Sequence, residues 1–321
     1  MKDKTLKKEK YIFQKVVLFI LGSIMVFLTF SFIRHRILLE GEKNLLTPPG
    51  QMIDVDGYKM HVYSIGEGDK TLVLMAASGT VCPCLDFKNL YSGLDNDYRI
   101  VVVEKFGYGY SDTVNRPRDV ASILSDTRAA LRGAGIDGPY VLCPHSFSGL
   151  EALYWSQTYP NEVEAIIGLD MAFPETYDYT KGGVWVKPYY LTQNGLVNLG
   201  MGRFFSDDYF LPEGDFLSEK EEKIYLALVN RIGNNIDVAR EAAEAKKSAK
   251  LVASGDKPDI PMLLFLSEKK LDGSNELWKR MAYDYAEDLD SVSFVELDCG
   301  HYIFHYEPER IKEEINAFLQ D

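Results

Sequence analysis

Two kinds of segment alternate along most of this chain. Short apolar runs, each ended by glycine, proline or charged residues, predict β-strands, and longer runs with apolar residues at helical spacing predict α-helices. The turn signal Asp56-Gly57 divides the first strand segment into a hairpin. We predict strands within the segments 51–65, 71–76, 99–103, 140–143, 163–169, 261–266 and 291–297, and helices at 120–133, 149–159 and 311–319.

Strands that alternate with helices indicate an α/β fold with a mainly parallel sheet covered by helices on both faces. Residues 51–170 and 260–321 follow this pattern and form the predicted core. Residues 171–259 are aromatic early and helical in spacing later, and they are too long for a loop inside a compact domain. We expect them to form an inserted, mostly helical cap over the carboxyl ends of the strands, where such sheets bind ligands.

The N-terminal segment has a different pattern. Residues 16–33 contain no charged side chain, and a helix of that length is roughly 27 Å long, close to the thickness of a bilayer's hydrocarbon core. No small-residue cleavage site follows the run. We predict a basic tail at residues 1–15, a transmembrane anchor at residues 16–33 and a linker at residues 34–50, with a cleaved signal peptide as the alternative.

The charge distribution bears on partners and orientation. The net charge of −13 argues against nucleic acid as a partner. Residues 1–36 hold eight basic and two acidic residues, so the rest of the chain carries a net charge of −19. More positive charge precedes the apolar run than follows it, which favours a cytoplasmic N-terminus. We therefore expect the body of the chain on the extracytoplasmic side, attached to the membrane by its single N-terminal helix.

A strand, a tight turn and a helix are predicted around residues 144–149, Pro-His-Ser-Phe-Ser-Gly, with Ser146 at the apex of the turn. This is the geometry of a nucleophile elbow, whose serine hydroxyl is exposed above the sheet edge. The usual pattern is Gly-x-Ser-x-Gly, and Pro144 and Ser148 replace both glycines. Because proline suits a strand end and serine is small, we expect a slightly shifted elbow that keeps its nucleophile.

Four motifs in this order resemble those of the α/β-hydrolase superfamily, in its capped serine-hydrolase branch of esterases and lipases. Besides the elbow they are the strand and loop at 72–80, the Gly-Tyr-Gly loop within 106–112, and Cys-Gly-His-Tyr at 299–302. The resemblance covers residues 51–321. It implies an α/β-hydrolase fold with an inserted cap, a triad of serine, histidine and acid, and an oxyanion hole.

The resemblance also assigns roles to single residues. Ser146 is the expected nucleophile, and His301 is the expected base that a hydroxyl needs near neutral pH. The expected oxyanion donors are the backbone N–H groups of Phe147 and Thr80, which leave the side chains there loosely constrained.

Two aspartates are candidates for the acid that orients His301. In the family the acid most often follows the strand at 262–266, but the aligned position here is Lys270, and Asp272 is off register. In other members it follows the preceding strand, which here ends at Asp170. We favour Asp170, with Asp272 as the alternative, and the chain order Ser, Asp, His holds for either.

Cysteine usage adds no further chemistry. Cys82, Cys84, Cys143 and Cys299 show no metal-type spacing with the histidines. We expect mostly buried free thiols, with a disulfide as the alternative if the body is exported. We expect neither a metal nor an organic cofactor.

Together these features predict a membrane-anchored serine hydrolase that cleaves a carboxylic ester of an apolar acyl or alkyl group. Peptidase, thioesterase and C–C hydrolase activity use the same triad and stay open. Epoxide hydrolases and dehalogenases of this fold use an aspartate nucleophile, so Ser146 argues against them. The alternative from another class is a non-catalytic ligand-binding protein on the same fold, which Lys270 and the altered elbow favour.

Overall fold

Eight strands form a single sheet in the order β1-β2-β4-β3-β5-β6-β7-β8. The computed structural model describes residues 2–179, 185–268 and 275–320. β2 runs antiparallel to its neighbours β1 and β4, and the pairings among β3 to β8 are parallel. The strands are β1 (Gln51–Val55), β2 (Tyr58–Ile65), β3 (Thr71–Met75), β4 (Arg99–Glu104), β5 (Tyr140–Pro144), β6 (Val163–Leu169), β7 (Met262–Ser267) and β8 (Val292–Leu297).

The core consists of two apolar clusters, one on each face of the sheet. Neighbouring side chains of a strand point to opposite faces, and in β3 Val73 belongs to one cluster while Leu72 and Leu74 belong to the other. The central strands β3, β5 and β7 are buried at every position. This explains why their sequences are continuously apolar rather than alternating.

Helices cover both clusters. Leu150 and Trp155 of α5 pack on the first face, and Ile311 and Ile315 of α12 pack on the second. The helices are α1 (Lys2–Glu42), α2 (Pro83–Asp86), α3 (Lys88–Leu94), α4 (Val120–Gly133), α5 (Ser148–Thr158), α6 (Thr176–Tyr179), α7 (Val186–Asn198), α8 (Glu219–Ile232), α9 (Ile236–Ala253), α10 (Asn275–Ala286), α11 (Ile303–Tyr306) and α12 (Pro308–Gln320).

In its described residues the segment between β6 and β7 contains the helices α6 to α9, joined by irregular stretches of which the longest, before α8, includes two short 3-10 turns. Ser218 and Glu221 form a capping box that starts α8, and the Asn235 side chain accepts a hydrogen bond from the Asp237 N–H at the start of α9. Asn235 also donates to the carbonyl oxygen of Gly107 in the loop after β4. The segment is therefore fixed to a loop at the carboxyl edge of the sheet.

Within the described residues, α1 is a helix long and apolar enough to cross a membrane, with a mean hydropathy of 2.7 over its most apolar window. The helix continues beyond the predicted anchor as far as Glu42, through the first part of the predicted linker. Two salt-bridging hydrogen bonds from Arg203 to Glu42, of 2.7 and 2.8 Å, connect its end to the segment between β6 and β7.

Candidate active site

Ser146 lies on a tight turn between the end of β5 and the start of α5. Its φ of 54° is in the left-handed region, which strains a residue that carries a Cβ. The turn is held by hydrogen bonds from the N–H groups of Gly149 and Ala172 to the Ser146 carbonyl oxygen, at 2.9 and 2.8 Å. The strand, turn and helix predicted from the sequence therefore occur with the serine at the apex.

Pro144 and Ser148, which replace the two glycines of the usual elbow pattern, each have a structural role. Pro144 ends β5 opposite Met75, and the N–H of His145 donates to the Met75 carbonyl at 2.9 Å. The buried Ser148 hydroxyl donates to the same carbonyl at 2.7 Å. The position that needs glycine is Gly149, where a Cβ would overlap the carbonyl oxygen of Ala172. The close helix–strand approach is thus kept one residue beyond the usual glycine.

His301 lies between β8 and α11, and its Nδ1 is 2.5 Å from Asp170 Oδ2. Asp170 follows β6 and also has a positive φ, of 50°. It is completely buried, and it accepts hydrogen bonds from Ser267 N–H, Ser267 Oγ and Trp278 Nε1 at 3.0, 2.7 and 3.0 Å. An imidazole oriented in this way through Nδ1 can accept and return a proton through Nε2.

The structure therefore brings Asp170 to the His301 ring, and Asp272 lies outside the described residues. Ser146, Asp170 and His301 each follow a strand of the parallel part of the sheet, namely β5, β6 and β8. The carboxyl ends of such strands meet at one edge. Side chains distant in sequence share a site for this reason.

His145 connects the elbow to the His301 loop. Its Nε2 donates to the His301 carbonyl oxygen at 3.1 Å, and the two ring centroids are 4.7 Å apart. Burial lowers the pKa of His145 well below its ordinary value, so the ring is neutral. The sequence pattern gives no indication of these contacts, because a histidine beside a serine carries no signal for them.

The predicted oxyanion donors lie at the ends of two short turns. Phe147 precedes α5, where the first N–H groups of a helix lack intrahelical acceptors. Gly79 has a φ of 85° and donates its N–H to the Tyr108 hydroxyl at 3.0 Å. The Thr80 N–H is 3.4 Å from the Ala77 carbonyl oxygen, the weak end of hydrogen bonding.

A buried cluster of charged side chains lies next to the two turns that carry Phe147 and Thr80. Lys105 Nζ is 2.7 Å from Glu151 and 3.2 Å from Glu241, which the Tyr108 hydroxyl also contacts at 2.9 Å. Burial alone would lower the pKa of Lys105, but the two carboxylates raise it above its ordinary value, so the lysine is charged. Its Nζ is 5.5 Å from the centre of the Phe147 ring. The cluster thus reaches Gly79, next to Thr80, through the Tyr108 hydroxyl, and the side chain of Phe147 through Lys105.

All four cysteines are free and buried. Cys82, Cys84 and Glu104 present ligand-type atoms within 4.8 Å of one another. The Glu104 carboxylate, however, already accepts from His61 Nδ1 at 2.9 Å and from the Tyr110 N–H at 2.7 Å. These hydrogen bonds fix the turn after β4 and account for the buried carboxylate without a metal ion.

A search of protein-family models finds no match. The chain is 34% identical over 319 residues to the uncharacterized protein YbdG of Bacillus subtilis, covering 95% of this chain and 97% of that protein. Among solved structures it is similar to the enol-lactonase from Burkholderia xenovorans, with a TM-score of 0.59 and 17% identity over 84% of this chain and all of that one. It is also similar to an epoxide hydrolase from Vigna radiata, with a TM-score of 0.64 and 15% identity over 84% of this chain and 97% of that chain.

These structural neighbours share the parallel sheet and its covering helices with the present chain. At this identity they establish the architecture, whereas the end-to-end sequence match establishes kinship. The chain therefore has the α/β-hydrolase fold and belongs to the same family as the uncharacterized protein YbdG of Bacillus subtilis.

Proposed function

We propose that this protein is a membrane-anchored serine hydrolase that cleaves a carboxylic ester carrying an apolar acyl or alkyl group. The observation that carries the proposal is the 2.5 Å contact between His301 Nδ1 and the buried Asp170, next to a serine on a strained turn. A carboxylate enclosed by hydrogen-bond donors and hydrogen-bonded to a partly exposed imidazole is well suited to stabilise an imidazolium during proton transfer.

The reaction has two halves. Ser146 Oγ attacks the acyl carbon while His301 Nε2 takes its proton, and the N–H groups of Phe147 and Thr80 stabilise the oxyanion. His301 then gives the proton to the leaving alcohol, which departs and leaves an acyl group on Ser146. Water, activated by the same imidazole, hydrolyses this acyl-enzyme and restores the serine. Asp170 keeps Nδ1 protonated throughout.

The choice of an ester rests on two supports. A lactone is a cyclic ester, and an enol-lactonase is among the structural neighbours. The epoxide hydrolases among them share the fold, but the elbow of this chain carries a hydroxyl rather than a carboxylate. Peptidase, thioesterase and C–C hydrolase reactions remain alternatives with the same residues, and a panel of matched amide, thioester and diketone substrates distinguishes them.

The membrane part of the proposal rests on α1. Its apolar residues are mostly exposed in the folded chain, as expected of a segment that faces lipid rather than a protein core. The basic residues before the apolar run favour a cytoplasmic N-terminus, which supports a hydrolase body on the extracytoplasmic side.

Labelling with a fluorophosphonate probe tests the nucleophile. The full-length protein is expected to be labelled, and Ser146→Ala and His301→Ala are expected to lose at least nine-tenths of the labelling rate because each removes a member of the reacting pair. Ser125→Ala is the matched control, since Ser125 is an exposed serine of α4. Equal labelling of wild type and Ser146→Ala would exclude Ser146, and absence of labelling in every form would favour the non-catalytic alternative.

A further inference from the structure

The C-terminal part of α1 packs against the rest of the protein. Ser31 and His35 are almost completely buried, although both belong to a helix that is otherwise exposed. The Ser31 hydroxyl donates to the Leu199 carbonyl oxygen at 2.6 Å, and Arg203 Nε donates to His35 Nδ1 at 3.0 Å. One turn nearer the N-terminus, the rings of Phe27 and Phe204 are 5.3 Å apart.

These contacts lie on one stripe of α1. Residues spaced by three or four positions share a helix face, and Phe27, Ser31 and His35 follow that spacing. Glu42 continues the stripe and is bonded to Arg203. The contact therefore runs along the helix for about four turns, which fixes the direction of α1 relative to the segment around Phe204.

The depth of these contacts in a membrane follows from the sequence. Phe27 and Ser31 both belong to the uncharged run at 16–33, and Phe27 is six residues from its end, or about 9 Å along the helix. If the run occupies the hydrocarbon core, the residues that touch it must lie at the same level. Phe204, at the level of Phe27, would then lie among the outer acyl chains, and Leu199, at the level of Ser31, close to their boundary with the headgroups.

The surface that these contacts bring to the boundary between headgroups and acyl chains is aromatic. Phe204, Phe205 and Tyr209, which we call the aromatic patch, are 47%, 60% and 75% exposed. The rings of Phe205 and Tyr209 stack at 5.7 Å, and Arg34 lies 5.6 Å from the Phe204 ring. Exposed aromatic rings flanked by an arginine are typical of residues at the membrane interface.

We propose that the aromatic patch is a second membrane contact, inserted between the headgroups and the outer acyl chains of the leaflet from which α1 emerges. The inference rests on the proposed membrane anchor and deepens it, because it brings the body of the enzyme down onto the bilayer. Asp207 and Asp208 lie exposed beside the patch, so the contact depends on aromatic insertion rather than on attraction to anionic lipid.

The same segment leads from the patch to the candidate site. Glu213 accepts a hydrogen bond from the Tyr306 hydroxyl, and the Phe216 ring is 5.3 Å from the ring of His305. Both partners belong to α11, which begins two residues after His301. The chemistry that fits this placement is hydrolysis of an amphiphilic ester that resides in the leaflet, with its ester group near the interface.

Depth-dependent quenching tests the contact. The full-length protein, with the exposed Trp185 changed to Phe, is placed in phosphatidylcholine vesicles that contain a brominated phosphatidylcholine. Single tryptophans are introduced as Phe205→Trp in the patch, Phe19→Trp in the anchor and Tyr283→Trp as the control. Tyr283 is an aromatic residue of α10 that is 39% exposed. We expect bromine to quench the tryptophans at 19 and 205 by at least half, and the one at 283 by no more than the background protein.

The outcomes separate the two proposals. Quenching at 19 without quenching at 205 would contradict the patch contact but would leave the anchor supported. A second copy of the chain bound to the patch would give this result. Absence of quenching at 19 would remove the anchor and the patch contact together. As a second measurement, Phe205→Glu is expected to slow hydrolysis of a long-chain ester in vesicles about tenfold and to leave a soluble short-chain ester unaffected. Equal rates on the vesicle ester would also overturn the inference.

Discussion

Two of the residues proposed to act in catalysis, Ser146 and Asp170, adopt left-handed backbone conformations at strand ends. Such a conformation costs a residue with a side chain on the order of 1 kcal/mol or more. The surrounding hydrogen bonds offset this cost, since the Ser146 carbonyl accepts from two N–H groups and Asp170 is held from β7 and α10. Strain at two positions of one site supports a functional rather than a purely structural use.

We expect Tyr108 to act as a positioning residue for the proposed oxyanion hole, because its hydroxyl connects the Gly79 N–H to Glu241. Tyr108→Phe removes both hydrogen bonds and leaves the turn that presents Thr80 less constrained. We expect kcat for ester hydrolysis to fall about tenfold with KM little changed, because the oxyanion is stabilised chiefly in the transition state. Steady-state kinetics measure both constants.

Tyr110→Phe, from the same loop, serves as the control for this effect. It is expected to keep kcat within about twofold of wild type. A loss that falls mainly on KM, or an equal loss in both variants, would contradict the positioning role of Tyr108.

The sequence points to Ser146 and His301 through local motifs, and it favours Asp170 with Asp272 as the alternative. The decisive contacts come from Ser267 and Trp278, which lie about a hundred residues from Asp170 and belong to different elements. Nothing in the local pattern around a tryptophan of α10 indicates a carboxylate partner. The ionic cluster around Lys105 could not be predicted from the sequence either, because its members lie far apart along the chain.

At the scale of elements, the predicted strands agree with the structure to within about two residues, because apolar runs ended by glycine or charge mark strand ends clearly. The α/β fold class is confirmed. The packing of α9 on the loop after β4 could not be predicted, since it depends on the side chains of Asn235 and Asp237 meeting Gly107 and Val114. Polar contacts between elements leave no periodic signal.

Gly149 sets the distance between α5 and the segment after β6. A Cβ at this position would overlap the Ala172 carbonyl oxygen, and the backbone on both sides is fixed by hydrogen bonds. We expect Gly149→Ala to reduce the free energy of unfolding by about 2–3 kcal/mol and to lower the rate of fluorophosphonate labelling, because overpacking moves the elbow. Denaturant titration in detergent gives the first quantity.

Gly195→Ala is the matched control for this substitution. Gly195 lies inside α7 with open space around it, so alanine is expected to stabilise the protein by about 0.5–1 kcal/mol. A stabilising effect at both positions would show that α5 can move away from Ala172 without cost.

At the scale of the whole molecule, Asp86 couples stability to pH. Asp86, the last residue of α2, is buried against α8, and burial raises its pKa to about 8 in spite of the Tyr225 hydroxyl at 3.2 Å. Burial lowers the pKa of the neighbouring His305 to about 4, so neither group is charged in the folded protein near pH 6. An unfolded chain would ionise Asp86 above about pH 4.

The sign of the effect follows from these values. Between about pH 4 and pH 8 the folded protein retains a proton that the unfolded chain loses, so Asp86 destabilises the fold increasingly as the pH rises through this window. Asp86→Asn removes the titration. Its free energy of unfolding, relative to wild type, is expected to rise by about 1 kcal/mol per pH unit across the window. Urea titrations at pH 5, 6, 7 and 8 measure this difference, with the exposed Asp97→Asn as the control. A difference between Asp86→Asn and wild type that does not change with pH would contradict the prediction.

The proposed topology, with the body of the chain on the extracytoplasmic side, rests on the charge asymmetry around α1. The native cysteines are buried, so an introduced surface cysteine can report its side with little background. Asp290→Cys places a thiol on the exposed loop before β8, and Lys10→Cys places one near the start of α1. With a membrane-impermeant maleimide on intact cells, we expect labelling at 290 and none at 10, and labelling of both after lysis.

The reverse labelling pattern would show the opposite topology. The rule that positively charged flanking residues stay on the cytoplasmic side would then not hold for this helix. An inverted body would still contact the bilayer through Phe204, Phe205 and Tyr209, since that contact depends only on where α1 leaves the membrane. It would, however, draw its ester from the cytoplasmic leaflet. The labelling pattern thus decides which leaflet would supply the proposed ester, and the quenching of the tryptophan at 205 decides whether the body contacts that leaflet at all.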